Sequence, residues 1–111
     1  MLARPNRLTR GTEYKAVVRR GRRCAGAHTI TYVNRVETSG PARFGFIVSR
    51  QVGGAVVRNT IRRRLKAVCA ESLSSVADGN EVVIRALPSA ATASFADLRD
   101  EVSRCLERRA A

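Results

Sequence analysis

The segment VGGAVVRNTIRRRLK, residues 52–66, organises the rest of the chain, because it predicts a helix with two different faces. A pair of glycines opens the segment. Apolar residues then recur at helical spacing, at Val57, Ile61, Leu65 and Val68. This spacing predicts a stripe that faces a core. We therefore expect the stripe, beginning at Val57, to hold one side of the helix in place.

The cationic residues of this segment fall on another side of the predicted helix. Arg58, Arg62 and Lys66 are four residues apart and stack on one face, and Asn59 and Arg63 line up beside them. Like charges at this density repel one another unless an anion lies over them, and a nucleic-acid backbone supplies that anion. A DNA recognition helix is a weaker interpretation, because no helix precedes this one at helix-turn-helix spacing.

The positive charge of the chain is concentrated in its first part. The chain has 111 residues, 44% of them hydrophobic, and a formal net charge of +12. This length and composition predict a single globular domain over residues 1–111. Residues 1–66 contain fourteen Arg and two Lys against two acids, whereas residues 67–111 contain five Arg against seven acids. The asymmetry indicates a polyanionic partner for the first part and a scaffold role for the second.

The patterns outside the basic helix predict an α+β domain with the order α-β-β-β-α-β-α. A basic arm, residues 1–8, comes first. The remaining predicted elements are a helix capped by Thr9 that ends near Arg20 with Gly21 as its C′ residue, strands 22–25, 29–35 and 43–50, a turn over residues 37–41, the basic helix to about Leu73, a strand at 81–87 and a helix capped by Ser94.

Alternation along the predicted strands assigns their faces. On the clearest strand the core side carries Phe44, Phe46 and Val48, and the other side carries Gly45, Ile47 and Ser49. Ile30 and Tyr32 share one face of the preceding strand. Tyr14 on the first helix and Tyr32 on the strand could stack on single-stranded RNA bases. Ordinary half-buried tyrosine is an equally good interpretation of each residue.

The sequence offers no catalytic or metal-binding set. His28 is the only histidine, and Gly53-Gly54 lacks the lysine of a phosphate-binding loop. The three cysteines have no Cys-x-x-Cys spacing, and Cys69 and Cys105 fall on apolar helix positions. With no signal peptide and no run near transmembrane length, we expect a cytoplasmic chain, no membrane contact, and reduced thiols. Binding of nucleic acid is the leading class of function.

Four segments together resemble the bacterial ribonuclease P protein family, over nearly the whole chain. The helix segment is similar to the family signature, in which a Gly-x-Ala-Val-x-Arg-Asn loop leads into a basic helix. The other segments are the basic arm with the Tyr14 helix, the strand RFGFIVSR at 43–50, and the last strand at 81–88. Thr60 and Gln51 stand where the family usually has Arg and Lys, Tyr14 where it usually has Phe, and Val18 where a second aromatic is common.

The resemblance implies both a fold and an activity. The fold is that of the second domain of ribosomal protein S5, with a left-handed β-α-β crossover in place of the ordinary right-handed one. The implied activity is that of the protein component of an endoribonuclease, whose RNA subunit removes the 5′ leader of precursor tRNA. The Mg²⁺ ions are held mainly by that RNA, so this chain has no catalytic residue and no cofactor of its own. The implied partners are ribonuclease P RNA and precursor tRNA, with no obligate protein partner.

The resemblance also assigns residues to two sites. The residues that match the RNA-subunit-binding helix are Arg58, Asn59, Arg62, Arg63 and Lys66. Those that match the leader-binding cleft are Tyr14, Val18, Ile30, Tyr32, Ile47, Ser49 and Gln51. The alternative function is that of a ribosomal or ribosome-associated RNA-binding protein with a structural role, because the charge asymmetry fits it equally well.

Overall fold

A computed structural model describes residues 2–36 and 40–111 of the chain. The predicted order of three helices and four strands is confirmed. The helices are α1 (Gly11–Arg20), α2 (Ala55–Ser72) and α3 (Phe95–Arg109). The strands are β1 (Arg22–Ala25), β2 (Thr29–Arg35), β3 (Arg43–Ile47) and β4 (Asn80–Ala86). Most of the turn predicted over residues 37–41 lies outside the described residues.

The four strands form one mixed sheet in the order β1-β2-β4-β3. β1 pairs antiparallel with β2, and β2 pairs antiparallel with β4. β3 pairs parallel with β4, with Gly45 opposite Val83. A parallel pair needs a crossover connection, and α2 provides it. The left hand of this crossover stays a prediction.

Both faces of the sheet are covered, which fixes where the two predicted sites can lie. One face packs against α2 and α3 around residues such as Phe44, Ile61, Leu65 and Leu98. The other face packs against α1 in a smaller cluster that includes Leu8, Val17, Ile30, Tyr32 and Val83. The predicted alternation is therefore confirmed: Phe44 lies on the α2 side, and Ile47 contacts the α1 cluster.

The apolar stripe of α2 begins one turn later than predicted. Ile61, Leu65 and Val68 are essentially buried, whereas Val57 is 37% exposed. The prediction that Val57 helps to pin the helix is therefore wrong. Val56 in the same first turn is 81% exposed, and the buried residues of α2 begin at Ile61, so this end of the helix lies outside the core.

The ends of α1 also differ from the prediction. Arg10, not Thr9, is the N-cap residue, and its N–H donates to the Glu13 carboxylate at 3.2 Å. Gly21 ends the helix in an extended conformation instead of the left-handed one. Position 21 requires glycine for a steric reason instead, because a Cβ there would lie 2.5 Å from the carbonyl oxygen of Val17. The close approach lets the chain turn directly from α1 into β1.

The expectation of reduced thiols is wrong for two of the three cysteines. Cys24 on β1 and Cys105 on α3 form a disulfide, with their Cα atoms 5.7 Å apart. The buried Glu101 lies one turn earlier on α3 and accepts hydrogen bonds from the Thr29 hydroxyl and the His28 N–H. Spacing could not reveal the pair, because 81 residues separate the two cysteines. Edge strand β1 is thus joined to α3 by the disulfide, and the connection from β1 to β2 is joined to α3 by the hydrogen bonds to Glu101.

Loss of this disulfide should lower the free energy of unfolding. We expect Cys24→Ala/Cys105→Ala to be less stable than the oxidised parent by about 2–4 kcal/mol, because the bond constrains the unfolded chain. Urea unfolding with and without dithiothreitol measures this. The reductant should destabilise the parent and leave the variant unchanged. Cys69→Ala is the control, because Cys69 is buried and unpaired; its midpoint should still respond to reductant. A parent insensitive to reductant would contradict the bond.

An ion-pair cluster holds the start of α1 against β3 and β4. The Arg43 guanidinium lies 2.7 Å from the Glu13 carboxylate and also pairs with Glu81. Burial raises the pKa of Glu13, but the Arg10 N–H and the hydrogen bond and charge of Arg43 outweigh it, so the net pKa is lowered. The charged form of Glu13 is therefore the one that stabilises the fold.

The pH dependence of this contribution follows from its sign. Glu13→Gln should cost about 0.5–1 kcal/mol at neutral pH. Because the folded-state pKa lies below the ordinary value, the difference from the parent is present above that ordinary value and disappears as the pH falls through the lowered pKa. Chemical unfolding of both proteins between pH 7 and pH 3 measures it. A difference that does not shrink as the pH falls below the ordinary pKa of a glutamate would contradict the assignment.

Candidate nucleic-acid interface

The glycine pair lies directly before the first residue of α2. Gly53 has a φ of +157°, and a Cβ there would lie 3.0 Å from the Cβ of Val57. Gly54 is the N-cap residue and has open space around its Cα. Its carbonyl accepts the first helical hydrogen bond, from the Arg58 N–H at 2.9 Å. Gly53 is therefore the position that needs glycine.

The residues assigned to RNA-subunit binding lie together on α2, on one flank of its core stripe and extending from there to the exposed side. Asn59 and Arg63 are exposed, and Arg58, Arg62 and Lys66 are half-buried. Arg62 donates to the Asn59 side-chain oxygen at 3.1 Å. Within residues 2–36 and 40–111, these four cations form no ion pair with an acid. We call these five residues the α2 basic face.

Arg58 and Arg64 differ in what they can offer to a ligand. The Nε atom of Arg58 is buried and has no hydrogen-bond partner among the described residues. A buried donor without a partner is costly, and an ordered water or a bound ligand can supply the acceptor. Arg64 points elsewhere, because its guanidinium donates to the carbonyl of Ala93 at 3.4 Å. Arg64 therefore lies apart from the α2 basic face.

The N-terminal arm extends the α2 basic face in a way that the sequence did not reveal. Leu2 and Leu8 are buried, and the Leu8 N–H donates to the Phe44 carbonyl at 2.8 Å. The arm therefore covers the outer edge of β3. Arg7 donates twice to the Leu2 carbonyl, at 2.8 and 3.0 Å. A groove of about 350 Å³ runs between the arm and the helix, lined by Leu2, Arg7, Asn59, Arg62, Arg63 and Lys66.

Tyr14 is the central side chain on the other face of the sheet. Its hydroxyl donates to the Leu8 carbonyl at 3.5 Å and accepts from the Phe46 N–H at 3.3 Å. Its ring lies over Gly45, where a Cβ would be 2.5 Å from the ring. Glycine in mid-strand therefore makes room for the aromatic ring. The strand glycine and the tyrosine, 31 residues apart in sequence, form one feature.

The residues assigned to the leader cleft occupy three different environments. Tyr14, Val18 and Ile47 line an open groove of about 360 Å³, together with Lys15 and Arg19. We call this the α1 groove. Ile30 and Tyr32 lie beneath α1 and are only 8% exposed. Ser49 and Gln51 are exposed on the loop after β3. The structure thus brings the first three together at the surface and leaves Tyr32 little exposed ring surface for stacking.

The two sites meet at Tyr14. A smaller cavity of about 150 Å³ is lined by Arg7, Leu8, Tyr14, Phe44, Phe46, Arg62, Lys66 and Leu2. Arg62 and Lys66 therefore belong both to the α2 basic face and to the surroundings of Tyr14. Sequence reasoning missed Arg7, Lys15 and Arg19 as members of this surface. The sequence did contain a signal for each of them. Lys15 follows Tyr14 directly, Arg19 lies on the same predicted helix, and Arg7 belongs to the basic arm.

The described residues contain few groups for other chemistry at this surface. No cluster of three His, Cys, Asp or Glu side chains among them could hold a metal ion. No helix in the part of the chain that the structure describes is long and apolar enough to cross a bilayer. What the surface does present is arginine and lysine around a tyrosine ring, which is suited to binding phosphates and bases.

Comparison with known proteins shows which family the chain resembles. A family model described as Ribonuclease P matches residues 2–110. The chain is 49% identical to the "Ribonuclease P protein component" of Acidothermus cellulolyticus, over 97% of this chain and 91% of that protein. It is 44% identical to the protein of the same name from Clavibacter michiganensis subsp. michiganensis, over 97% of this chain and 96% of that protein.

Solved structures agree in fold. The RNase P protein of Staphylococcus aureus superposes with a TM-score of 0.83 at 18% identity, covering 93% of this chain and 94% of that one. The protein from Thermotoga maritima also gives a TM-score of 0.83, at 16% identity, covering 95% and 98%. These two likenesses support the fold alone. Together with the family model and the sequence identities, they lead to one conclusion: the chain belongs to the ribonuclease P protein family.

Proposed function

We propose that the chain is the protein subunit of ribonuclease P and assists an RNA subunit in removing the 5′ leader of precursor tRNA. The observation that carries the proposal is the α2 basic face, whose cations have no acidic partner among the described residues. Family membership supplies the class of RNA. We place the complex in the cytoplasm, with the catalytic step on the RNA.

The α2 basic face is suited to hold the RNA subunit by its phosphates. Arginine donates in a planar fork that matches phosphate oxygens, and the helix N-terminus adds a partial positive charge near Arg58. The buried core stripe prevents the helix from turning its cations away. The buried Nε of Arg58 lacks an acceptor among the described residues, and a phosphate oxygen would provide one.

The α1 groove is suited to hold a single-stranded leader. Tyr14 is half-buried and fixed by two hydrogen bonds, so part of its ring can stack on a base without losing much side-chain freedom. Lys15 and Arg19 on the groove wall can neutralise the phosphates of the same strand. Val18 and Ile47 supply apolar contact. Groove and helix together would hold substrate and catalytic RNA on one protein.

Mg²⁺ belongs to the RNA in this proposal. The residues that line the cavities beside α2 include no carboxylate, so a cation there would meet positive charge. The described residues therefore fit a role in binding and neutralising RNA instead of holding the metal. Mg²⁺, when bound by the RNA, would supply the activated water for phosphodiester hydrolysis. This chain positions the RNA strands and screens their mutual repulsion.

The alternative is a structural ribosomal role, and a competition experiment separates the two. Labelled ribonuclease P RNA bound to the chain is challenged with unlabelled ribonuclease P RNA or with ribosomal RNA of equal length, at a fixed salt concentration. Our proposal predicts displacement by the first at much lower concentration. Equal displacement by both, with co-sedimentation on ribosomal subunits through a high-salt wash, would favour the ribosomal role.

A further inference from the structure

We propose that the protein has a second binding site for a phosphate group of an RNA strand. The site is a pocket at one end of the sheet, and the first turn of α2 lies at the opposite end. Four arginines line it, and they come from four different elements: Arg20 from α1, Arg22 from β1, Arg35 from β2 and Arg109 from α3. The cavity has a volume of about 340 Å³. We call it the arginine pocket.

The strand register places this pocket away from the α2 basic face. Arg35 lies opposite Asn80, the first residue of β4. β3 runs parallel to β4 from Arg43, opposite Glu81, to Ile47, opposite Arg85. The chain leaves β3 at that second end and then enters α2, so the first turn of α2 lies at the opposite end of the sheet from Asn80. A ligand in the arginine pocket therefore does not share residues with the α2 basic face.

The arginine pocket has a net positive charge that an anion would neutralise. All four arginines are exposed, and none forms an ion pair within residues 2–36 and 40–111. The other lining residues, Val33, Asn34, Asn80 and Ala111, bring no acidic side chain, and the α-carboxylate of Ala111, the last residue of the sequence, still leaves the four guanidinium groups in excess. Arginines at the ends of α1 and α3 suit the helix dipoles. That explanation does not cover Arg22 and Arg35, which lie at strand ends.

The chemistry and the position together favour RNA phosphate. Guanidinium groups bind phosphate oxygens in bidentate pairs, and four of them around one cavity can engage one group from several sides. Arg19 lines the α1 groove, and the next residue, Arg20, lines the arginine pocket. An RNA strand that runs along α1 would pass from the α1 groove to the arginine pocket. The helix itself is about 15 Å long. The choice of RNA as the occupant rests on the proposed function.

A nuclear magnetic resonance titration tests the pocket directly. The full chain, labelled with ¹⁵N, is titrated first with inorganic phosphate and then with a short single-stranded oligouridylate, while the arginine Nε–H signals are followed. We expect saturable shifts for Arg22 and Arg35 with both ligands. Arg22→Gln/Arg35→Gln should lose the shifts at Arg20 and Arg109 and keep those of Arg62. Pocket signals that stay still while those of Arg62 saturate would overturn the proposal.

Binding of precursor tRNA provides the second measurement. The same double variant should bind about threefold to tenfold more weakly at moderate salt, with a shallower dependence of affinity on salt. The matched control is Arg104→Gln/Arg108→Gln, because both residues are exposed and neither lines the pocket. Equal losses in the two variants would show a general charge effect and contradict a specific site. Shifts with phosphate but not with oligouridylate would contradict RNA as the occupant.

These outcomes separate the pocket from the proposed function. If the chain binds ribonuclease P RNA and supports cleavage while the pocket signals stay still, only the arginine pocket fails. If the chain does not distinguish ribonuclease P RNA from ribosomal RNA while the pocket signals respond to oligouridylate, the proposed function fails and the phosphate site stands.

Discussion

Arg63→Ala should weaken binding of ribonuclease P RNA by about 1–3 kcal/mol, because the change removes a charge-assisted contact without disturbing the core. Arg63 is exposed on α2, next to the groove formed with the arm. It is a cleaner probe than Arg58, whose Nε is buried. Filter binding over a range of salt concentrations measures the loss and should also show a shallower salt dependence.

Two further variants make this result specific to the α2 basic face. Arg63→Lys keeps the charge and loses the planar fork, so its affinity should lie between those of the parent and the alanine variant. Arg104→Ala removes the same charge from α3, where the residue is exposed and lines neither groove. It should bind almost like the parent. Unchanged affinity for Arg63→Ala, or an equal loss for Arg104→Ala, would count against the assigned face.

Tyr14→Ala should weaken binding of precursor tRNA by about 1–3 kcal/mol and leave mature tRNA unaffected, because only the precursor carries a leader that can stack in the α1 groove. Affinities of the assembled complex for the two tRNA species measure the difference. Equal losses for precursor and mature tRNA would contradict the assignment of the groove to the leader.

The hydroxyl of Tyr14 needs a control of its own, because it bonds to Leu8 and Phe46 and so helps to hold the arm on β3. Tyr14→Phe removes those bonds and keeps the ring. We expect it to lower the melting temperature slightly and to keep the preference for precursor tRNA. If Tyr14→Phe loses the preference as fully as Tyr14→Ala, the ring is not what the leader contacts.

Much of the fold could be predicted because local periodicity reports burial. Alternation from Phe44 to Ile47 gave both faces of β3, and helical spacing gave the stripe of Ile61 and Leu65. Periodicity could not show which residues of an element another element covers and which stay exposed. Val57 continues the stripe in sequence but is 37% exposed, and Tyr32 alternates correctly yet is covered by α1.

The features that sequence reasoning missed depend on contacts between distant segments. The disulfide joins Cys24 to Cys105 through the packing of α3 on the edge strand β1. The arginine pocket collects residues from both ends of the chain, and each of them taken alone is an ordinary surface arginine. Composition indicated a basic first part, but Arg109 comes from the part that appeared to be scaffold.

The most direct test of the account is cleavage of precursor tRNA by the cognate RNA subunit at low Mg²⁺ concentration, with and without this chain. If the chain binds and screens both RNA strands, it should strongly stimulate cleavage there and give the correct 5′ end of the mature tRNA. The RNA must be active alone at high Mg²⁺, and the chain must be folded by circular dichroism. No stimulation under those conditions would contradict the proposed function.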